Sequence, residues 1–421
     1  MKPQAVKGTH DILPAQVPAW RQLEQRVRQT LERAGAGEIR PPVFEHTETF
    51  IKTAGESSDL VVQKEMYTFT DRGERSLTLR PEFTPGFLRA YIQHGMHTWP
   101  SPVRLWGIGP VFRAENVQRG RYRQFHQVNY EVLGSDSALI DAETIALLYD
   151  ALSATGLRNL RVRLGSVGDP DDRSAYNDYL REQLSPVADK LTETSQERLR
   201  LNPMRLLDAK DPGDRALIEK LRRPLEFLGS AAANHFAEVQ DWLRAWDIPF
   251  DIDDSLVRGL DYYRRTAFEV HHLGIGAQSA LSGGGRYDGL VESLGGPPTA
   301  GIGWAFGVER VLDALEEEGQ QASDAERPLV FLVALDTEAV AEVAGLSREL
   351  RREVAVGYTL TSRKTARGLK DADRSGARFA ALRGERERAA GTFEVKNLAD
   401  GTQHTVAEDD LRRWLLDWEN S

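Results

Sequence analysis

No cysteine occurs anywhere in the 421 residues. That excludes disulfides, thiolate metal ligands and a cysteine nucleophile together, and it suits a reducing compartment. Long apolar runs are also missing. No stretch of about 18 consecutive apolar residues is present, which excludes a membrane-spanning helix. The opening Met1-Lys2-Pro3-Gln4-Ala5-Val6 lacks the apolar segment of a secretory signal. The expectation is a cytoplasmic protein with no membrane partner. There is no Gly-x-x-x-x-Gly-Lys-Ser/Thr phosphate loop, and Gly301-Ile-Gly-Trp-Ala-Phe-Gly307 has the wrong spacing for a dinucleotide fingerprint. His94 and His97, and the pair His271-His272, have no further ligands at usable spacing, so no metal held by protein side chains is assigned.

Positive charge is in overall deficit. The net charge of -10 taken alone argues against a phosphate-bearing partner. The average conceals local patches: nine Lys/Arg against four Asp/Glu between Arg363 and Arg388, and four arginines against one glutamate between Arg113 and Arg123. An isolated charge run is usually a solvated face, so these patches leave RNA binding open without establishing it.

The length predicts two to four domains. Trp20, Leu23, Val27 and Leu31 recur at helical steps, with Gly35 and Gly37 as the stop. Pro41 and Pro42 make the stretch 38–44 an edge or bent strand. Residues 103–134 read as strand, basic loop, strand, and 141–155 as a helix. The segment 170–250 is rich in Leu, Ala, Glu and Arg at helical spacing. Residues 257–271 and 279–304 return to strand and glycine-rich character, and Val308, Leu312 and Leu315 open another helix. The polar run 316–327 is the best linker. Beyond it, strand–helix alternation predicts a separate α/β domain over 328–421 with parallel pairing, a basic helix from Arg363 to Arg378, and a terminal amphipathic helix around Trp414 and Trp418.

Side chains alternate along a strand, so Phe125, Gln127, Asn129, Glu131 and Leu133 share one face, with His126, Val128, Tyr130 and Val132 on the other. An amphipathic strand ordinarily turns its polar face to water. Here that face mixes Gln, Asn and Glu with a ring, and it follows a basic loop, Asn116 to Arg123, that contains Gly120. A ligand floor fits this composition better than a solvated surface.

These residues carry a resemblance. Arg113-Ala-Glu115 followed by Gln118-Arg-Gly-Arg-Tyr-Arg-Gln-Phe-His-Gln127 resembles motif 2 of class II aminoacyl-tRNA synthetases in its histidyl form. Leu256-Val-Arg-Gly-Leu-Asp-Tyr-Tyr263 looks like the signature peptide of histidyl-tRNA synthetases and their close relatives. Gly301 to Arg310 looks like motif 3, and Gly284-Gly-Arg-Tyr-Asp-Gly-Leu290 like the stretch before it. Arg80-Pro-Glu82 and Lys7-Gly-Thr-His-Asp-Ile-Leu-Pro14 match as well, and the likeness runs on to Gly391-Thr-Phe-Glu-Val-Lys-Asn-Leu398.

The resemblance implies an α/β chain with an α+β catalytic core: a class II antiparallel sheet with flanking helices (1–169 and 251–320), a helical insertion (170–250) and a C-terminal α/β anticodon-binding domain (328–421). It implies a homodimeric histidine–tRNA ligase. Such an enzyme activates L-histidine with ATP to histidyl-adenylate plus pyrophosphate, then transfers histidine to the 3' end of tRNA(His). Glu131 and Tyr263, with Tyr262, would hold the imidazole; Glu82, Thr84 and Gln127 the ammonium; Arg113 and Gln127 the carboxylate. Glu115 and Phe125 would hold adenine, Arg310 its opposite face and the phosphates, with Arg121 a further phosphate ligand. Arg258, also beside the bound histidine, and Arg113 would be catalytic, offsetting charge at the α-phosphate, with Mg²⁺ between the phosphates of ATP. The implied RNA contacts are Gln118 and Arg119 in the loop, and Arg363, Lys364, Arg367 and Lys370 in the basic helix; the stretch 38–48 would build the dimer.

Two places depart from the family pattern. Phe83 follows Arg80-Pro-Glu82 where a glycine is common, which would put a bulky ring beside the ammonium site. Asn116-Val117 replaces an Arg-Pro pair and removes one positive charge from the loop. The main competing reading is a non-catalytic regulatory subunit of an ATP phosphoribosyltransferase. Such proteins share the fold, but they typically lack the anticodon-binding domain and erode the ATP residues. A generic RNA-binding module does not explain the polar face.

Overall fold

The computed structural model describes residues 3–54, 65–118, 120–256, 262–274, 279–320 and 327–419. The chain divides into two compact units, Met1–Leu13 with Ala19–Ala322 and Pro14–Pro18 with Ser323–Ser421.

The first unit contains strands β1 (Gly37–Glu38), β2 (Phe44–His46), β3 (Tyr67–Thr70), β4 (Ser76–Leu79), β5 (Val103–Phe112), β6 (Gln124–Leu133), β7 (Leu160–Ser166), β8 (Phe250–Ile252), β9 (Arg264–His272), β10 (Ala280–Arg286) and β11 (Gly301–Gly307). Eight of them form one sheet in the order β1-β5-β6-β11-β10-β9-β7-β8, and β2-β4-β3 form a small second sheet. Pairing is antiparallel from β5 through to β7, while the two edge pairs, β1 with β5 and β7 with β8, are parallel. Pro41 and Pro42 fall between β1 and β2, outside any ladder, because proline cannot donate a ladder hydrogen bond. Their carbonyls instead accept from the Arg80 guanidinium at 2.9 and 3.3 Å.

One face of the large sheet carries the main core. Helix α1 (Val17–Arg33) buries Trp20, Leu23, Val27 and Leu31, and Val128, Tyr130 and Val132 of β6 meet the same cluster. Helix α2 (Thr84–Gln93) lies under Phe83 and Phe87 in a second cluster. Helix α3 (Ala138–Ala154) is apolar nearly all round, as a helix sandwiched between a sheet and a neighbour must be. That neighbour is α4 (Ser230–Ala245), which adds Phe236, Val239 and Leu243 to the main core. The helical stretch 170–250 is therefore not uniform. Helices Pro170–Leu184, Glu193–Leu201 and Pro212–Ile218 form small clusters of their own, one of which reaches Tyr263 and Ala267, whereas α4 packs on the sheet's helical layer. Helix α5 (Val308–Glu317) follows β11 directly.

In the second unit, β12 (Val330–Ala334), β13 (Val356–Tyr358), β14 (Phe379–Arg383), β15 (Thr392–Asn397) and β16 (Gln403–Ala407) pair in the order β13-β12-β14-β15-β16. Helices α6 (Thr337–Leu350), α7 (Thr365–Arg374) and α8 (Leu411–Glu419) flank them. The three leading strands are parallel, as the strand–helix alternation predicts; β15 and β16, which that alternation does not include, are antiparallel. The cause is local. Asn397 donates to Asp400 at 3.0 Å and Gly401 takes φ +79°, closing a tight hairpin too short for a crossover. Trp414 and Trp418 of α8 pack edge-on against Phe379, 5.0 and 5.5 Å between centroids.

Candidate active site

Opposite the helical layer, the face of β6, β11, β10 and β9 floors a cavity of about 590 Å³. Phe125, Gln127, Asn129 and Glu131 all line it. The ladder places Glu131 across from Gly303, Gly303 across from Gly285, and Gly285 across from Ala267. This row of small residues leaves room for large side chains above it. A Cβ on Gly303 would overlap Glu131 Oε2, and one on Gly285 would lie 2.6 Å from the Tyr263 ring. These glycines make space for the pocket's own walls.

Glu131 is 1% exposed. Thr84 Oγ1 and Asn129 Nδ2 donate to its Oε1 at 2.6 and 2.7 Å, and the Tyr287 hydroxyl donates to Oε2. Burial pushes the Glu131 carboxyl up to about 7, these three donors pull against that, and nearby Glu82 pushes with it. Burial also raises Glu82, opposed by Arg113 and a hydrogen bond with Tyr262. Thr84, which the resemblance puts at an ammonium, lines the cavity with its hydroxyl on Glu131, because the first turn of α2 points it at β6. Tyr262 and Tyr263 close this end, their rings 5.0 Å apart. Gln127 is 8% exposed, and its Oε1 has no hydrogen-bond partner among the described residues.

The other end is basic and aromatic. Arg113 donates to the Pro81 carbonyl at 2.9 Å and stands 5.4 Å above the Phe125 ring. Arg121 pairs with Glu115 at 3.4 Å. Arg310, at the start of α5, donates to the Gly120 carbonyl at 3.1 Å and the Ala280 carbonyl at 2.9 Å, spanning from the hairpin loop to β10. Burial and the neighbouring Arg121 lower its proton affinity. Glu65 and Glu269 also line the cavity. Glu65 is raised by burial and by Glu115. Glu269 is held by His271 Nε2 at 2.8 Å, whose Nδ1 contacts Ser279 at 2.8 Å.

The family model for histidyl-tRNA synthetase matches residues 8–311, and that for an anticodon binding domain matches 329–418. The chain belongs to the histidyl-tRNA synthetase family. A histidine–tRNA ligase of Thermus thermophilus is 52% identical over 99% of both chains, and one of Deinococcus radiodurans is 48% identical over 98% of this chain and 99% of its own. The crystal structure of the apo histidyl-tRNA synthetase of Staphylococcus aureus superimposes with a TM-score of 0.83 at 34% identity, covering 98% of this chain and all of that one. Full-length likeness to synthetases, with an anticodon-binding domain, does not favour the regulatory-subunit reading.

Within this histidyl-tRNA synthetase fold, Glu82, Thr84, Arg113, Glu115, Arg121, Phe125, Gln127, Glu131, Tyr262, Tyr263 and Arg310 share the one cavity. Arg258 and Arg119 lie outside the described residues. Phe83 does not crowd the site. It is 1% exposed, packs edge-on to Phe87 at 5.7 Å, and lies under the Arg80 guanidinium at 3.9 Å. Burial lowers that guanidinium to about 10. A Cβ on Gly8 would lie 2.7 Å from Val117, and Gly8 accepts from the Arg123 amide at 2.8 Å, so Val117 packs on the N-terminal motif. Gln118 forms a narrow bridge with Arg121 at the loop. In the second unit, Lys364 precedes α7 as its N-cap, and Arg363 and Arg367 both pair with Asp371, at 3.3 and 3.4 Å. Lys364, Arg367 and Lys370 are exposed. Asn129 lines the pocket as the strand alternation predicts, whereas Tyr287, Glu65 and Glu269 were not among the sequence candidates. For Tyr287 a signal existed, since it sits inside the Gly284–Leu290 motif.

Proposed function

We infer that the chain is an ATP-dependent histidine–tRNA ligase that joins L-histidine to the 3' end of tRNA(His). One observation carries the reading: a single cavity holds a buried carboxylate beside tyrosines together with an aromatic ring under Arg113 and two further arginines, Arg121 and Arg310.

Neutral imidazole has one donor and one acceptor, so a selective pocket must supply one of each. Glu131 accepts the ring N–H, and the Tyr263 hydroxyl donates to the other nitrogen. Glu82 and the unpaired Gln127 Oε1 take the ammonium, and Arg113 the carboxylate. Phe125 and Arg310 sandwich adenine, Glu115 accepts from its amino group, and Arg121 meets the phosphates. The histidine carboxylate then attacks the α-phosphorus, pyrophosphate leaves, and the adenylate forms. Arg113 and Arg258 offset the charge gathering on the phosphoryl oxygens, and no general base is needed because the nucleophile is already a carboxylate. The terminal tRNA hydroxyl next attacks the activated carbonyl and AMP departs.

Mg²⁺ would arrive on the ATP phosphates and offset their charge. Among the described residues no group of three His, Asp or Glu side chains could hold an ion alone, while Glu65 and Glu269, which line the cavity, would offer the oxygen donors Mg²⁺ prefers. The modular division follows the units: activation in the first, anticodon reading in the second, with Arg363, Lys364, Arg367 and Lys370 toward RNA. A homodimer through the small sheet is supported by Phe44 and Phe69, 48% and 44% exposed yet in edge contact at 6.4 Å. No helix among the described residues is long and apolar enough to cross a membrane, and the tRNA substrate argues for the cytoplasm.

The test is histidine-dependent exchange of pyrophosphate into ATP with tRNA omitted. Folded protein should support exchange with histidine and not with other amino acids; no exchange would overturn the reading.

A further inference from the structure

Asn129 precedes Glu131 by two residues on β6 and is 1% exposed. Its Nδ2 donates to Glu131 Oε1 at 2.7 Å. A carboxylate offers only acceptors, so this contact fixes which way the amide faces. Thr84 shares the same oxygen and Tyr287 serves the other. The remaining charged and titratable neighbours come from several elements. Glu82 adds a second negative charge from the segment before α2. Tyr262 and Tyr263 contribute phenols, and burial raises Tyr262 well above its ordinary value. Arg286 on β10 is committed to Asp141 and Asp288. Arg113 interacts with Glu82. No cation in this set is bonded to Glu131, so neutral donors hold its charge.

We propose that Asn129 is a positioning residue for histidine selection, its amide keeping the Glu131 carboxylate ionised and aimed to accept the imidazole N–H. The proposal rests on the histidine-activating reading above. A protonated Glu131 would present an O–H toward a ring N–H, a clash of two donors. Three donors on two oxygens leave few lone pairs free, so the incoming N–H has a defined place to go. Glu131 lies near the point where losing one donor changes its charge at neutral pH.

The experiment is the pH profile of kcat/KM for histidine in pyrophosphate exchange, comparing native protein with Asn129→Leu, which keeps the γ-branch but lacks the donor. Loss of one hydrogen bond to a charged group should move the Glu131 titration up by about one unit. The expected deficit is about tenfold at pH 6, about fivefold at pH 7, and absent by about pH 9, where both proteins carry the charge. KM for ATP and kcat at saturating histidine should stay within about twofold of native. Substrate imidazole titrates identically in both assays and cancels from the ratio. Asn129→Ala provides a second variant if leucine is not tolerated. A deficit constant across pH would mean lost packing alone and would overturn the proposal, as would an unchanged profile. Absence of exchange from native protein would instead sink the functional reading on which it stands.

Discussion

Gly303 lies directly across the β6–β11 ladder from Glu131, and any Cβ at that position would overlap the Glu131 Oε2 oxygen. The glycine thereby belongs to the proposed imidazole site through its effect on Glu131. Gly303→Ala should displace the Glu131 carboxylate by roughly 1 Å, a misplacement that can cost about a hundredfold. We expect that loss in kcat/KM for histidine, with nucleotide binding retained. Pyrophosphate exchange alongside ATP binding by calorimetry checks it; native histidine kinetics would refute the steric account.

Much of the site was legible because a strand has a period of two. Phe125, Gln127 and Glu131 must share a face whatever the fold around them. What covers that face was not legible. Thr84 came into the site only through the resemblance, since no local pattern reveals a partner 47 residues away, and its hydroxyl meets Glu131. Phe83 looked intrusive for the same reason, whereas α2 turns its ring under Arg80. In the second unit, alternation of strand and helix foretold the parallel core but not the β15–β16 hairpin, which depends on the turn at Asp400 and Gly401. Asp141 had no sequence signal at all, yet its buried carboxylate gathers Arg286, Thr266 and His235.

Asp141 is fully buried in the first turn of α3. It pairs with Arg286, accepts from Thr266 at 2.5 Å, and contacts His235 Nε2 of α4 at 2.8 Å. Burial disfavours its charge, but His235 and Arg286 outweigh that and hold its carboxyl below the ordinary range. A depressed carboxylate contributes stability that is present above its unfolded value, about 3.9, and is lost as pH falls through the folded one. Asp141→Asn leaves the buried Arg286 paired only with Asp288 and should cost about 3–5 kcal/mol. Urea unfolding at pH 7 and pH 3 should show a large gap between native and variant at pH 7 that narrows in acid. Equal gaps would mean that the carboxylate's charge is not what matters.

Glu309 accepts from the His126 amide at 2.9 and 3.0 Å and contacts its ring nitrogen at 3.1 Å. The bond pins the start of α5 to β6, and the next residue is Arg310. Glu309 thereby sets the spacing between Arg310 and Phe125, the two proposed covers of adenine. Glu309→Ala orphans a half-buried amide at a cost of about 1–3 kcal/mol and loosens that spacing. KM for ATP should rise about tenfold while KM for histidine holds within about twofold. A rise confined to histidine would place the defect at the wrong end of the cavity.

The second unit has a core cluster of its own, built on Val330, Leu332, Phe379, Phe393 and Leu415. The first unit likewise ends on anchors of its own. Glu318 accepts from the Arg158 and Asn159 amides at 3.2 and 3.3 Å and from His272 Nε2 at 2.8 Å. Gln320 donates to the Gly156 carbonyl. A chain stopped after residue 326 keeps these contacts and every described cavity residue. It should perform histidine-dependent pyrophosphate exchange within about threefold of the full chain, since the two binding regions contribute separately. Charging of tRNA should fall about a hundredfold or more, because contacts at the anticodon no longer raise the local concentration of the 3' end. Parallel loss of exchange and charging would show that the activation unit depends on the second unit for its shape.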